Sequence, residues 1–473
     1  MTSIDPKLAR KRRRHRNERI VAAILVLLAG GAAGWGIWWN RAEQRDLRRD
    51  LRYIPKGVTI TPEVEQLRAF VRIDSSKPEG IAAGARWLAE QLAQNGIRAE
   101  LIESGPNMIS VYARIPGRRP GGGLLLFNHI DVVPPGEGWK APPFAAVIVG
   151  DQLWGRGTLD MKALTICQLV AFVDVARSGR KPEHDLVFLA TPDEETGSRH
   201  GMQWLLEHRP DVFVNVEYGI TEGGTTEMMT DRMTHFGIEI GGKQVVQVAL
   251  TGPSEEVLKK TRIGLEPFMF TRQPQRLLPA VRRYFKEIAP TRTSFRPLLA
   301  DIDATIRDGQ FWRLPVTYRD FLQNTVYAGA PMRTDRGWQM IITLINLPDE
   351  TPENRVAWLE KTITPFGAHV REVVMSEGTT PLSSEQTPLF AWIAEEAENR
   401  YQVDAGMLLQ YRSTSDCRFL RRRDITCYGL SPYPVNFYQS LTIHRKDENI
   451  SVWAFQEGVE LLRAVVERWA RTA

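Results

Sequence analysis

Cysteine is scarce in this chain. Its 473 residues include three, Cys167, Cys417 and Cys427, with no Cys-x-x-Cys pair. That excludes a disulfide framework and a thiolate zinc site, and leaves open a single Cys417–Cys427 bridge in an oxidising compartment. Internal repeats and long low-complexity tracts are also absent. A basic body is missing as well. The formal charge is +5, but residues 1–19 carry a net +6 and residues 40–56 a net +3, which leaves the remainder at about −4. A nucleic-acid-binding surface is therefore not implied, and no nucleic-acid partner is expected. What is present is ordinary globular composition, 43% hydrophobic and 25% charged, with length enough for two or three domains.

Residues 20–39, "IVAAILVLLAGGAAGWGIWW", run for twenty residues without a charge. At 1.5 Å per helical residue they match a hydrocarbon core roughly 30 Å thick. Trp35, Trp38 and Trp39 suit a membrane–water interface, and the basic stretch "KRRRHRNER" precedes the segment. Positive charge stays on the cytoplasmic side. The expectation is a basic cytoplasmic tail (1–19), a transmembrane anchor (20–39), a linker (40–56) and a body on the periplasmic or extracellular side. A cleaved signal peptide is the rival reading, but the apolar stretch is long for one and lacks a clear small-x-small exit.

Beyond the linker, "IAAGARWLAEQLAQNGI" has helical apolar spacing and stops at Gly96. Short apolar runs, Leu124–Phe127 and Leu186–Ala190, then alternate with helical stretches such as "MKALTICQLVAFVDVARSG". That alternation predicts an α/β domain, a mostly parallel sheet with helices on both faces. From about residue 238 the pattern changes to "IEIGGKQVVQVALTG", "PQRLLPAVRRYFKEIAP" and "WQMIITLINLP". This predicts a smaller α+β module over 238–376, inserted between the halves 57–237 and 377–473 of the main domain.

Polar residues collect where the apolar runs end. "LLLFNHID" delivers His129 and Asp131; "WGRGTLDMK" delivers Asp160; "LVFLATPDEETGS" delivers Glu194 and Glu195; "YGITEGG" delivers Glu222; and "LTIHRKDEN" supplies His444. In α/β sheets, ligands bind at the carboxyl ends of the strands. Each segment alone has a plainer reading: a satisfied structural histidine, an N-cap aspartate, a solvated pair of glutamates. Together they place several carboxylates where chains converge, and that is costly unless a positive charge neutralises them. Imidazole and carboxylate without thiolate suit zinc or a similar divalent ion.

In order and local sequence, "HID", "GRGTLDMK", "EE", "TEGG" and "IHRKDE" resemble the motifs of the dinuclear zinc hydrolases that include aminoacylase, acetylornithine deacetylase, bacterial glutamate carboxypeptidase and carboxypeptidase S. The resemblance is closest to the carboxypeptidase S-like branch and covers roughly residues 60–240 and 375–473. It implies two zinc ions, or cobalt or manganese in their place. His129 and Glu222 would hold one, Glu195 and His444 the other, and Asp160 would bridge both. Asp131 would accept the second ring N–H of His129 and fix its tautomer. Glu194 would be the general base. Arg418, in "STSDCRF", would pair with a substrate carboxylate or else serve a structural ion pair. The inserted module would be a ferredoxin-like lid, through which a dimer is conceivable.

The lid departs from that family. A Gly-His-Ser-like segment, whose histidine holds the developing oxyanion, is replaced by "LTGPSEEVLKK", and the arginine expected before the lid turn is missing from "LINLPDET". Only His235 or His369 could substitute. Two functions follow. One is a hydrolase for a small amide or peptide, with altered substrate preference. The alternative is a membrane-anchored metal-binding protein with weak or lost catalysis.

Overall fold

The computed structural model describes residues 58–472 except 230, 231, 271, 272, 293, 377 and 411–414. The basic tail, anchor and linker expected over 1–56 lie outside these residues. Among the described residues, no helix is long and apolar enough to cross a membrane.

The chain enters through two helices, Pro62–Val71 and Pro78–Gln94, each with proline in its first turn, where the ring's fixed φ suits the helix. The second ends as its sequence predicts. Gly96 takes φ +73°, its N–H reaches the carbonyl of Ala93, and Ile97 N–H reaches that of Leu92, closing a Schellman cap.

A nine-stranded sheet follows. Its strands run in the order Glu100–Gly105, Met108–Ile115, Leu186–Thr191, Gly123–His129, Val216–Thr221, Thr426–Gly429, Arg232–Gly242 and Ala405–Gln410; Thr225–Met229 pairs additionally with Arg232–Gly242. The expected mostly parallel sheet is corrected to a mixed one. Pairing is parallel through the centre, where Leu186–Thr191, Gly123–His129, Val216–Thr221 and Thr426–Gly429 lie side by side. On one side, Glu100–Gly105 and Met108–Ile115 form a hairpin too short for a parallel crossover. On the other, Arg232–Gly242 runs antiparallel to both Thr225–Met229 and Thr426–Gly429.

The uninterrupted apolar run that ends in His129 is explained by this position. All seven residues of Gly123–His129 are buried. Leu124 and Leu126 face the core beneath Ala163–Arg177 and Val452–Thr472, while Leu125 and Phe127 face the core around Met202, Leu205 and Leu420. A strand covered on both faces has no polar alternation.

The inserted module has an antiparallel sheet in the order Thr325–Ala328, Gly337–Asn346, Gln244–Gly252, His369–Ser376, with Met332–Thr334 beside Gly337–Asn346. Helices Glu255–Phe270 and Pro352–Ile363 contribute Leu258, Leu265, Leu359 and Ile363 to its own core. Numbered along the chain the order is 2-3-1-4, the ferredoxin-like arrangement. Residue 238, expected as the boundary, falls inside a strand of the main sheet, and the lid sheet begins at Gln244. The helix Pro279–Ile288 and its successors up to Leu322 pack on the main core through Val281, Tyr284, Phe285 and Phe321, although they interrupt the lid in sequence.

A three-stranded sheet, Val147–Val149, Gln152–Trp154 and Asn449–Ser451, ties the middle of the chain to its last segment.

Candidate metal centre

His129 is the last residue of its strand, paired with Thr191 at the end of the neighbouring one. Glu194 and Glu195 begin a short turn just past that neighbour, and Glu222 follows Val216–Thr221. Parallel pairing thus delivers three segments to one end of the sheet. Asp160 comes from the turn Thr158–Lys162, one turn before helix Ala163–Arg177, and its bond to Met161 is cis. Gly157 opens this turn at φ +82°, and a β-carbon there would lie 2.7 Å from Val132 Cγ1, so glycine is required. His444 comes from the loop before Asn449–Ser451.

These residues form two triads that share one aspartate: His129, Asp160 and Glu222, and Asp160, Glu195 and His444. Within each, one ligand atom per residue lies within 4.8 Å of the others. His129 Nε2 is 3.2 Å from Asp160 Oδ1 and 3.7 Å from Glu222 Oε1. His444 Nε2 is 2.9 Å from Asp160 Oδ2 and 3.0 Å from Glu195 Oε2. The two oxygens of Asp160 therefore serve different triads. His129 Nδ1 donates to the carbonyl oxygen of Asp131 at 2.8 Å, which turns Nε2 toward the carboxylates.

The role expected for Asp131 is carried by different atoms. Its carbonyl, not its carboxylate, meets the ring N–H of His129; the carboxylate stands 3.7 Å away. That carboxylate accepts the backbone N–H groups of Glu194 (3.2 Å) and Glu195 (3.0 Å) and so fixes where both glutamates start. Backbone amides are better oriented toward it than a ring already satisfied by a carbonyl.

Negative charge is in excess here. Asp131, Asp160, Glu194, Glu195 and Glu222 face two imidazoles and the Arg418 guanidinium. Burial and Asp160 push Glu222 up to about 8. Burial, Glu222 and Asp416 push Glu194 well above the usual carboxylate range. Burial raises Asp131 to about 6, with His129 opposing. Burial works against the charge of Asp160 too, but His129 and His444 outweigh it and hold Asp160 far down. His444 is pulled up to about 10 by Asp160 and Glu195. Glu195 Oε1 is buried with no hydrogen-bond partner among the described residues. An unpartnered buried carboxylate oxygen beside crowded acids and two imidazole nitrogens fits divalent cations.

Arg418 is buried, with Nη1 3.7 Å from Glu194 Oε1, Nη2 3.6 Å from Asp416 Oδ1, and its guanidinium 4.5 Å from the centre of the Phe419 ring. It neighbours Cys417, which is bonded to Cys427 across a Cα separation of 5.4 Å. The two candidate replacements for the lid histidine join neither triad. His235 is buried in the main sheet beside Tyr284, and His369 sits at the lid edge with Nδ1 3.0 Å from Glu360. Sequence reasoning assigned no role to Glu448 and Arg156, which form a fully buried pair at 2.6 Å next to Asp160. The available signal was one more acid in the "IHRKDEN" segment and one arginine inside "GRG".

A mixed α/β domain with a ferredoxin-like lid thus gathers two carboxylate–histidine triads about one aspartate. Residues 125–468 match the model of peptidase family M20/M25/M40, and the chain belongs to that family. Over 188 residues it is 30% identical to succinyl-diaminopimelate desuccinylase 2 of Shewanella loihica, a stretch covering 39% of this chain and 47% of that one. Over 154 residues it is 36% identical to succinyl-diaminopimelate desuccinylase of Gluconobacter oxydans, covering 31% of this chain and 39% of the other. The matches thus span less than half the length of these curated relatives. Among solved structures the fold is similar to an M20 family metallo-carboxypeptidase from Sulfolobus solfataricus (TM-score 0.64, 17% identity, 87% of this chain and 99% of that one). It is equally similar to human carnosine dipeptidase 1 (TM-score 0.64, 13% identity, 86% and 96%).

Proposed function

We propose that this protein is a metal-dependent hydrolase that cleaves the amide or peptide bond of a small substrate, a dipeptide or an N-acyl amino acid. The observation that carries the reading is the divided Asp160 carboxylate, one oxygen in each triad, with Glu194 adjacent but in neither. Two bound divalent cations, zinc or cobalt or manganese, would supply Lewis acidity to the scissile carbonyl and acidify the attacking water. His129 and Glu222 would hold one, Glu195 and His444 the other, and Asp160 both.

Glu194 takes the water proton as the carbonyl is attacked and returns it to the leaving amine. Burial, Glu222 and Asp416 raise its affinity for a proton, the direction that a proton acceptor requires. Asp131 fixes its backbone, and Arg418 faces its carboxylate. Arg418 is therefore first a partner of the base and of Asp416, and a substrate carboxylate reaching it would compete with them.

One observation favours the second reading, a metal-binding protein with weak catalysis: neither His235 nor His369 joins the triads, and loss of one oxyanion donor typically costs ~10²–10³ in turnover. Glu194 argues the other way, since a protein that only binds metal needs no base there. Full-length protein loaded with zinc and assayed on dipeptides and N-acyl amino acids, N-succinyl compounds included, distinguishes the two. Turnover abolished by Glu194→Gln supports the hydrolase; metal binding without turnover on any member supports the alternative.

The body is further proposed to lie outside the cytoplasm behind the anchor at 20–39. Support comes from the basic cluster preceding that segment and from the Cys417–Cys427 bond, a pairing that persists in oxidising compartments.

A further inference from the structure

The turn that carries Asp160 lies before its helix begins, and three of its backbone N–H groups, those of Gly157, Leu159 and Asp160, meet Glu448. Glu448 Oε1 accepts from Leu159 N (2.8 Å) and Asp160 N (3.2 Å), and Oε2 accepts from Gly157 N (2.9 Å) and Arg156 Nη1 (2.6 Å). The side chain is wholly buried. Its own carbonyl accepts Gly155 N–H at 2.9 Å, and the next residue opens the pairing of Asn449–Ser451 with Gln152–Trp154. Arg156 has no other hydrogen-bond partner for Nε or Nη2 among the described residues, and it lies 5.2 Å from the centre of the Trp139 ring. Its charge is thus directed at Glu448.

We infer that Glu448 is a positioning residue for the metal centre, its carboxylate setting the Asp160 turn and locking that turn to the segment that carries His444. The inference rests on the dinuclear reading proposed above. Chemistry dictates the residue type. Each oxygen receives two donors, so glutamine would point an NH2 group at two N–H groups. Aspartate keeps both acceptors but is one methylene shorter. The effect is also directional. The triad Asp160–Glu195–His444 takes two of its three ligands from the clamped segments, whereas His129–Asp160–Glu222 takes one. Loss of the clamp should therefore loosen the second triad more than the first. A buried ion pair that served stability alone would show no such preference.

The test is a zinc titration of the metal-free, full-length protein against a chromophoric chelator, with circular dichroism on the same samples. Wild type should bind two ions. Glu448→Gln should weaken one of them 10- to 100-fold, as expected when a group orienting a metal ligand is lost, and Glu448→Asp should recover part of that loss. The weakened ion should be the one that Glu195→Gln weakens. Glu448→Gln then adds little to Glu195→Gln, while combined with Glu222→Gln it leaves neither ion tightly held. Wild-type affinity for both ions in a folded but less heat-stable Glu448→Gln protein would overturn the inference, as would equal weakening of both. Failure of both Glu448 variants to fold, with zinc present, would overturn it too by making Glu448 a folding residue only. A wild type that binds no ion would overturn the dinuclear reading and this inference with it, a result distinct from any variant-specific loss.

Discussion

Glu194 and Glu195 are adjacent, yet their surroundings separate their chemistry. Glu195 reaches His444 and leaves one oxygen buried and unpartnered, whereas Glu194 faces Arg418. Glu194→Gln keeps size and hydrogen bonding but removes the proton acceptor. Turnover should fall by ~10²–10⁴ with metal content near two ions per chain by elemental analysis. Glu195→Gln should instead lose or weaken one ion, because a neutral amide is a poorer ligand for a divalent cation. Equal loss of metal in both variants would refute the division of roles. His235 supplies a separate prediction at this scale. It is buried, neither ring nitrogen has a hydrogen-bond partner among the described residues, and burial lowers its pKa to about 4, with Asp404 opposing. The unfolded chain binds the proton near 6.5, the folded one only near 4, so His235 costs stability as pH falls through that window. Between pH 7 and pH 5, urea denaturation should show wild type losing about 2 kcal/mol more than His235→Phe. Identical pH slopes would show that His235 does not titrate this way.

At the scale of elements, the strand ends were legible because a buried central strand admits no polar residue until it stops. His129 closes such a strand, Glu194, Glu195 and Glu222 follow others, and the structure gathers His129, Glu195 and Glu222 with Asp160 and His444. The hairpins were less legible. Nothing in the alternation of "ELIESG" and "MISVYARI" with the helices around them separates an antiparallel edge from a parallel strand, so the sequence alone points to a mostly parallel sheet. Nor could spacing show which oxygen of Asp131 meets His129, since carbonyl and carboxylate belong to the same residue. The Asp160 turn depends on Gly157, whose φ of +82° and contact with Val132 exclude a β-carbon. Gly157→Ala should therefore lower the melting temperature and weaken zinc binding together, at a backbone cost of ~1–3 kcal/mol. Unchanged metal affinity in a destabilised Gly157→Ala protein would show that the turn tolerates displacement.

At the level of the described body, the lid divides the mixed α/β domain in sequence, and residues near 444–451 complete a site begun more than 300 residues earlier. The helical stretch Pro279–Leu322 escaped a linear reading because it interrupts the lid in sequence yet packs on the main core. Residues 20–39 carry the topology prediction. A reporter fused after Ala473 should be active only in a periplasmic or extracellular assay, and an active cytoplasmic reporter would contradict it. Peptide mapping without reductant should recover Cys417 and Cys427 as one linked pair, leaving Cys167 free. A two-ion centre divided at Asp160 is tested by crystals of the zinc-loaded protein measured at the zinc absorption edge. Two anomalous peaks are expected, one among His129, Glu222 and Asp160 and one among Glu195, His444 and Asp160. A map with no peak at Asp160, or with a single ion there at saturating zinc, would contradict it.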